Sequence, residues 1–322
     1  MAYTTEIIRA EPMVFNKTSE DEFIVSNTVP IALQSLKNDC IIPNFAKDNE
    51  STISHAEFIE AVMETVAHVF PNEAILEPAI RVSHPIRGRV PEAMGKPARA
   101  LSEHEKTMYY ERMAFSIEIP SIHDGIAGNE LSLTVGGVRA YNLENLYSRK
   151  SLERFKVFIG FKNHVCTNFC VSTDGFLGDL RVSKTHEIVE NTFQLLTDFN
   201  VVRVLDDLRH LNQYDLYERQ FAQVIGKMKM YQFLPKAQQK KIAAVMLGDS
   251  QISTMVKAYY QDENFKVDDY GRISLFDFYN LATGANKSSY IDSFLDRTVS
   301  MLDLSLDLMR GIQSPGASWY VQ

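Results

Sequence analysis

The sequence predicts an α+β fold, with a largely antiparallel sheet in the first half and a helical second half. Between residues 79 and 182, apolar residues alternate with polar or small ones, which is the period of β-strands. From residue 183 onward, apolar residues recur every three or four positions, as they do along one face of a helix. Apolar residues make up 45% of the 322 positions, which is enough to build a sizeable core.

The first clear helix is expected to begin at Ser54. Ser54 and Glu57 have the spacing of a capping box, in which each side chain accepts a hydrogen bond from the backbone N–H of the other. Phe58, Val62 and Val66 follow at every fourth position. One face of this helix is therefore expected to lie in the core.

Strands are expected after this helix, at residues 79–83, 113–119 and 131–135, because apolar side chains alternate along each segment. Gly136 and Gly137 directly follow the third segment and precede another extended one. Both positions of a two-residue hairpin turn need positive φ, which glycine adopts without strain. The sequence therefore predicts a hairpin that turns at these two glycines.

Three more strands complete the predicted sheet, at residues 155–161, 165–172 and 176–182. Asp174 and Gly175 favour a turn between the last two. After residue 183 the helices begin, and no Gly/Ser-rich linker separates the two halves. We therefore expect a strand-rich region with early helices at residues 1–184 and a helical region at residues 185–322, packed together as one unit.

The three cysteines, Cys40, Cys166 and Cys170, are few and odd in number, as expected in a reducing compartment, and they favour a cytoplasmic protein. On a regular strand, Cys166 and Cys170 would lie about 13 Å apart, too far for a disulfide or a shared metal ion. The glycine spacings of the P-loop and of the dinucleotide-binding turn do not occur. We expect no cofactor and no metal.

The formal charge of -8 argues against adhesion of the whole chain to nucleic acid or anionic lipid, but it permits a local basic face. The first residues lack the apolar stretch of a signal peptide, and no apolar run approaches the roughly 20 residues that span a bilayer. We expect no membrane partner, and a homo-oligomer is left open.

Two stretches of the chain are locally basic. The first contains Arg81, Arg87, Arg89, Lys96 and Arg99. In the second, cations alternate with aromatic residues, which is how single-stranded nucleic acid is often held. The candidate nucleic-acid-binding residues are Arg139, Arg149, Lys150 and Lys162. The alternative is that the aromatic residues form core and that the lysines are ordinary surface residues.

A second candidate site precedes the last long helix, at Asn286, Lys287, Ser288 and Ser289. Ser289 and Asp292 have capping-box spacing, so we expect this helix to begin at Ser289. Ser274 and Asp277 have the same spacing, so we expect the preceding helix to begin at Ser274. Free N–H groups at a helix start, beside a lysine, can bind an anion. The capping box alone also explains most of these residue types.

Five segments carry a resemblance to a family of proteins without assigned activity, found in Bacteroides and its relatives and carried on conjugative or other mobile elements. They are LKNDCIIP (36–43), EPAIRVSH (77–84), GGVRAYN (136–142), FIGFKN (158–163) and TGANKSSYIDSFLDR (283–297). More distantly, the predicted hairpin at Gly136 and Gly137, residues 166–168 and residues 278–283 resemble a family of phage and plasmid proteins that also lacks an assigned activity. The resemblance lends no catalytic residue and implies only an association with DNA transfer and recombination genes.

Three functions follow as hypotheses. The first is a non-enzymatic accessory protein of a mobile element that binds single-stranded DNA, in the manner of phage annealing proteins. The second is an enzyme that handles a phosphate or a nucleotide at Asn286, Lys287 and Ser288. The third is a protein-binding scaffold. An enzyme is the less favoured class, because no candidate nucleophile lies at a sequence spacing from a base that would indicate a catalytic motif.

Overall fold

A computed structural model describes residues 23–40, 52–144, 152–262 and 271–321. The strands in these ranges are β1 (Val29–Pro30), β2 (Ala79–Val82), β3 (Pro85–Arg89), β4 (Lys106–Tyr110), β5 (Arg112–Ile126), β6 (Asn129–Ala140), β7 (Glu153–Asn163), β8 (Phe169–Cys170), β9 (Phe176–Val182), β10 (Asp215–Tyr217) and β11 (Arg272–Ser274). The helices are α1 (Leu33–Asp39), α2 (His55–Val69), α3 (Thr185–Asp198), α4 (Val201–Leu211), α5 (Glu218–Tyr231), α6 (Lys236–Gln239), α7 (Asp249–Gln261), α8 (Leu275–Asn286) and α9 (Ile291–Gln313). The predicted α+β class is confirmed.

The main sheet is antiparallel throughout its described pairs and has the strand order β1-β2-β5-β6-β7-β8, with β9 also paired to β7. Two small two-stranded sheets, β3-β4 and β10-β11, lie apart from it. The strand-rich first half and the helical second half are thus as predicted. In the part of the chain that the structure describes, no helix has the length and apolar character needed to cross a membrane.

Helices cover both faces of the main sheet. On one face, α2 places the ring of Phe58 against Phe115 of β5 and Phe155 of β7, with centroid distances of 5.2 and 4.7 Å. On the other face, α9 places Phe294 against Phe169 of β8, at 6.0 Å. The hydrophobic core joins strands of the first half to helices of the second.

The start of α2 confirms the predicted capping box. Ser54 is the N-cap: its hydroxyl accepts a hydrogen bond from the Glu57 N–H at 3.1 Å, and the Glu57 carboxylate accepts one from the Ser54 N–H at 2.6 Å. Phe58, Val62 and Val66 are each fully buried, as their spacing predicts. Local sequence was therefore sufficient to predict where this helix begins and which face it buries.

The predicted hairpin turn at Gly136 and Gly137 is wrong. Both glycines lie inside β6 and pair with β5 and β7, and the turn lies at Ala127 and Gly128, whose φ values are 51° and 78°. The glycines serve close packing instead. A Cβ on Gly136 would lie 2.7 Å from the Phe158 ring, so no larger residue fits between the strand and that ring.

Gly137→Ala is expected to destabilise the protein by about 1–3 kcal/mol, because overpacking a core forces side chains and backbone to shift. The added Cβ would lie 2.5 Å from Phe58 Cζ and 2.8 Å from the Lys156 carbonyl oxygen. Urea unfolding followed by circular dichroism measures the change. Gly226→Ala is the control, since nothing lies within 4 Å of a Cβ there and helix propensity favours alanine. Equal stability of the Gly137 variant and the wild type would contradict this account.

The predicted strand at residues 165–172 is much shorter than expected, because only Phe169 and Cys170 pair with β7. Thr167 has a φ of 54°, which breaks any regular strand before it. Cys166 therefore lies in a turn, where the Asn163 side chain accepts hydrogen bonds from the N–H groups at 165 and 166, at 2.8 and 3.4 Å.

Candidate nucleic-acid interface

Arg139, a predicted nucleic-acid-binding residue, is fully buried. Its guanidinium lies between the rings of Tyr141 and Phe155, 4.4 Å from each centroid, and forms ion pairs with Glu144, at 3.2 Å, and Glu153. A buried cation held by two carboxylates and two rings has no free surface for a phosphate. The expected surface position of Arg139 is therefore wrong. Burial of this cation is possible because Glu153 on β7 and Glu144 after β6 supply the compensating negative charges.

Lys162 belongs to a polar cluster on the sheet. Its Nζ lies 3.3 Å from Glu118 Oε2. Ser132 Oγ donates to Glu118 Oε1 at 3.0 Å and lies 2.8 Å from His164 Nε2. These residue types suggest a catalytic triad, but Glu118 contacts the same histidine nitrogen, at 3.1 Å, rather than the opposite one that an orienting carboxylate needs. Lys162 is thus largely engaged in an internal contact.

The other cations of the same stretch are also paired where the structure describes them. Arg154 Nη2 lies 2.8 Å from Asp179, and Lys156 contacts a carboxylate of α9. Arg149 and Lys150, the remaining two candidates, lie outside the described residues. The described part of this stretch therefore presents its cations to carboxylates of the same chain.

The predicted helix start at Ser289 is wrong. The N-cap of α9 is Tyr290, which makes no side-chain capping bond. Ser289 is buried in the connection between α8 and α9, where its hydroxyl donates to Asn286 Oδ1 at 2.6 Å and accepts from Gln251 Nε2 at 2.7 Å. Asn286 is the last residue of α8 and donates from Nδ2 to the Phe294 carbonyl at 2.9 Å. Tertiary contacts thus occupy both side chains.

Lys287 and Ser288, the other two residues of the predicted anion site, also make contacts within the chain. The Lys287 ammonium donates to the Cys166 carbonyl and to the Thr167 hydroxyl, so it supports the turn that carries the strained threonine. Ser288 Oγ donates to the Ala285 carbonyl at 2.8 Å. The segment joins two helices to the β7–β8 turn, and packing accounts for its residue types.

A different basic region, which was not predicted from the sequence, lies in the helical half. Residues 219–248 contain six Lys and Arg and no Asp or Glu, in a chain with a formal charge of -8. These thirty residues cover α5 from its second residue onward, α6 and the segment that leads to α7; Glu218, the first residue of α5, directly precedes them. The sequence itself shows that this region has no acidic residue. The net negative charge of the whole chain does not indicate such a local excess of positive charge.

We define the basic surface as the exposed cations of this region together with its most exposed aromatic residue. The set is Arg219, Lys229, Phe233, Lys236, Lys240 and Lys241. Helix α5 turns Phe221, Val224 and Met228 into the core, which leaves its cations on the outer side. The sixth cation, Lys227, lies over the Trp319 ring, 5.2 Å from its centroid.

The basic surface is open to partners outside the chain. The side chains of Arg219, Lys229, Lys240 and Lys241 make no hydrogen bond or ion pair with any residue that the structure describes. Phe233 is 81% exposed, at the end of α5. An exposed aromatic ring among unpaired cations combines a stacking surface with positive charge.

The first basic stretch of the sequence is a weaker candidate. It forms much of the β3–β4 arm, residues 84–106, where Arg87 and Arg99 are exposed. The arm has five Lys and Arg but also three Glu, a net charge of +2. Lys96 and Lys106 are each paired with one of these glutamates. The arm is therefore less basic than residues 219–248.

The fold and the surface together define the protein as an α+β protein, with a helix-covered antiparallel sheet and an exposed cationic region on its helical half. The chain belongs to the family described as "Domain of unknown function, B. Theta Gene description (DUF3871)", whose model matches residues 2–319. The expected resemblance to a family without assigned function is thereby confirmed over nearly the full length. No curated protein and no solved structure matches the chain significantly.

Proposed function

We propose that the protein is a non-enzymatic nucleic-acid-binding protein that holds single-stranded DNA on its basic surface. The observation that carries the proposal is the run of thirty residues with six cations and no acid, folded so that most of these cations are exposed. In a chain of net charge -8, such a concentration of positive charge fits a polyanionic partner.

The chemistry of the surface favours a single-stranded partner. Lysine ammonium groups neutralise phosphates without reading sequence, and each contact releases counterions. Phe233, at 81% exposure, offers a face on which an unpaired base can stack, whereas the bases of a duplex are already stacked on each other. The cations bind the backbone and the ring binds a base, so both parts of the surface act on the same ligand.

The resemblance to proteins of mobile elements supports a role beside DNA transfer or recombination, as an association rather than as a mechanism. An accessory protein of DNA transfer or recombination encounters single-stranded DNA as an intermediate of that process. Binding without sequence preference through phosphates, with stacking on one ring, suits such a partner.

The triple variant Lys229→Gln, Lys240→Gln and Lys241→Gln is expected to weaken binding of a fluorescein-labelled dT oligonucleotide. Fluorescence anisotropy as a function of salt is the measurement. Each phosphate contact to single-stranded DNA contributes about 0.7 to the slope of log affinity against log salt, so loss of three contacts should reduce this slope by about 2. Phe233→Ala should lower the affinity without changing the slope, because stacking releases no counterions.

The control variant is Arg154→Gln, Arg181→Gln and Arg203→Gln, which removes the same charge from one partly exposed and two exposed residues outside the basic surface. Each of these arginines is already paired with an aspartate. Its salt slope should stay close to that of the wild type. No anisotropy change for the wild type at low salt, or equal losses in both triple variants, would reject the proposal.

A further inference from the structure

The basic surface ends in a groove. Lys240 and Lys241 line one side of an open depression of about 710 Å³, and α9 lines the other side. Because the depression is open, a ligand bound there would contact its lining on one side and remain accessible on the other. Because Lys240 and Lys241 belong both to the basic surface and to this lining, the groove adjoins the basic surface.

The lining of the groove combines three kinds of group. Its cations are Lys240, Lys241 and Arg310, and its apolar residues are Ile242, Leu306 and Met309. Its two carboxylates are Asp303 and Asp307. Cations at an apolar depression fit a phosphate joined to a flat base, and a carboxylate can accept hydrogen bonds from donors on such a base.

The two carboxylates differ in how far they are already engaged. Asp307 is 9% exposed, and it accepts hydrogen bonds from Ser318 Oγ at 2.6 Å and from Arg310 at 3.2 Å. Asp303 is more exposed, and within the described residues it accepts only from Thr173 Oγ1, which lies 3.1 Å from each of its oxygens. Burial raises the pKa of Asp303, opposed by that hydrogen bond and by the Arg310 charge.

We propose that this groove binds one nucleotide of the DNA held by the basic surface and selects guanine through Asp303. This inference rests on the proposed function and adds a base preference to it. The Watson–Crick edge of guanine carries two adjacent donors, N1–H and the N2 amino group, which match the two oxygens of a carboxylate acceptor. The base lies on Leu306 and Met309, and its phosphate contacts Lys240 or Lys241.

The other bases fit the carboxylate less well. Adenine and cytosine each present one amino donor beside a ring nitrogen acceptor, whose lone pair faces the second carboxylate oxygen. Thymine presents one N–H between two carbonyl oxygens, which repel a carboxylate. Inosine has the N1–H of guanine but lacks its N2 amino group. Comparing guanine with inosine therefore isolates a single hydrogen bond.

The test uses dT oligonucleotides that carry one central guanine, inosine or adenine, or none, with the full chain and fluorescence anisotropy. We expect the wild type to bind the guanine oligonucleotide about five- to tenfold more tightly than the other three, as a good bidentate contact provides. In Asp303→Asn the preference for guanine over inosine should disappear, because an amide has only one acceptor oxygen and cannot accept from both N1–H and the N2 amino group. Affinity for plain dT should stay equal or rise because a negative charge is lost. Asp198→Asn, at the end of α3, makes the same charge change outside the groove and should keep the preference.

The outcomes separate this inference from the proposed function. Equal binding of all four oligonucleotides by the wild type, or a preference for guanine over inosine that survives in Asp303→Asn, would overturn the groove assignment and leave DNA binding intact. No binding of any oligonucleotide would instead reject the proposed function.

Free guanosine monophosphate is the last probe. Release of the labelled DNA by low micromolar nucleotide would show that the groove takes free nucleotides, and would overturn the assignment to a DNA-borne guanine. A melting temperature for each variant close to that of the wild type excludes unfolding as the cause.

Discussion

Replacement of Arg139 by methionine is expected to lower the free energy of unfolding by about 3–5 kcal/mol, as when one partner of a buried ion pair is removed. The guanidinium contacts Glu144 and Glu153, and all three side chains are at most 2% exposed. Without the cation, two carboxylates remain in a site that water does not reach. Burial already raises the pKa of Glu144, against the attraction of Arg139.

Guanidinium chloride unfolding at pH 7 measures this loss, with Arg154→Met as the control. Arg154 pairs with Asp179, but its side chain is 39% exposed, and exposed ion pairs contribute only about 0–1 kcal/mol. The triple variant of Arg139→Met with Glu144→Gln and Glu153→Gln should recover part of the loss, because it leaves no unpaired buried charge. A change below that of the Arg154 control would show that Arg139 is not needed for stability.

The burial of Arg139 shows which parts of the fold the sequence can predict. The alternation of apolar residues in β5 to β7 was sufficient to predict extended structure there, although not the length of β6, because a two-residue period is local. Because β6 continues through Gly136 and Gly137 without a turn, position 139 lies on the face of Leu133 and Val135, which α2 covers. The charge of the side chain suggested the surface instead. Only the tertiary structure shows that Glu153 lies beside it to compensate that charge.

Gly136 and Gly137 illustrate a second limit. Glycine is required both where φ is positive and where another group approaches the backbone too closely for a Cβ, and the local sequence does not distinguish these cases. The group that approaches Gly137 is the ring of Phe58, which is distant in sequence. The true turn at Ala127 and Gly128 gives a weaker signal, because alanine seldom adopts positive φ.

The candidate interface was missed for a different reason. Its cations are spread over thirty residues, without the alternating aromatic residues that drew attention to β7. A count of acidic residues in a moving window would have found it, since none occurs from 219 to 248. The groove beside it was not predictable, because Asp303 and Lys241 meet only when α9 packs against the segment after α6.

The protein is also expected to lose stability in mild acid because of His55. This residue begins α2, is 4% exposed, and donates from Nε2 to the Tyr110 carbonyl at 2.8 Å. Burial, together with the nearby Arg139 cation, lowers the pKa of His55 from 6.5 to about 3. The imidazole therefore stays neutral in the folded protein, and its Nδ1 has no hydrogen-bond partner among the described residues.

The sign of the effect follows from where the proton binds. Below pH 6.5 the unfolded chain protonates at His55 and the folded protein does not, until the pH approaches about 3. Stability from this group is thus fully present above the unfolded pKa and is lost as the pH falls. At about 1.4 kcal/mol per pKa unit, the loss reaches about 2 kcal/mol at pH 5.

Urea unfolding at pH 7 and at pH 5 tests the expectation, with the difference between the two as the readout. His55→Gln keeps a donor for the Tyr110 carbonyl but cannot take up a proton, so its difference should be smaller than that of the wild type by about 2 kcal/mol. His68→Gln, at an exposed position of the same helix, should match the wild type. Because the Arg139 charge contributes to the low pKa of His55, Arg139→Met should also reduce the pH dependence. An unchanged difference in His55→Gln would mean that other groups, rather than this buried imidazole, determine the acid sensitivity of the fold.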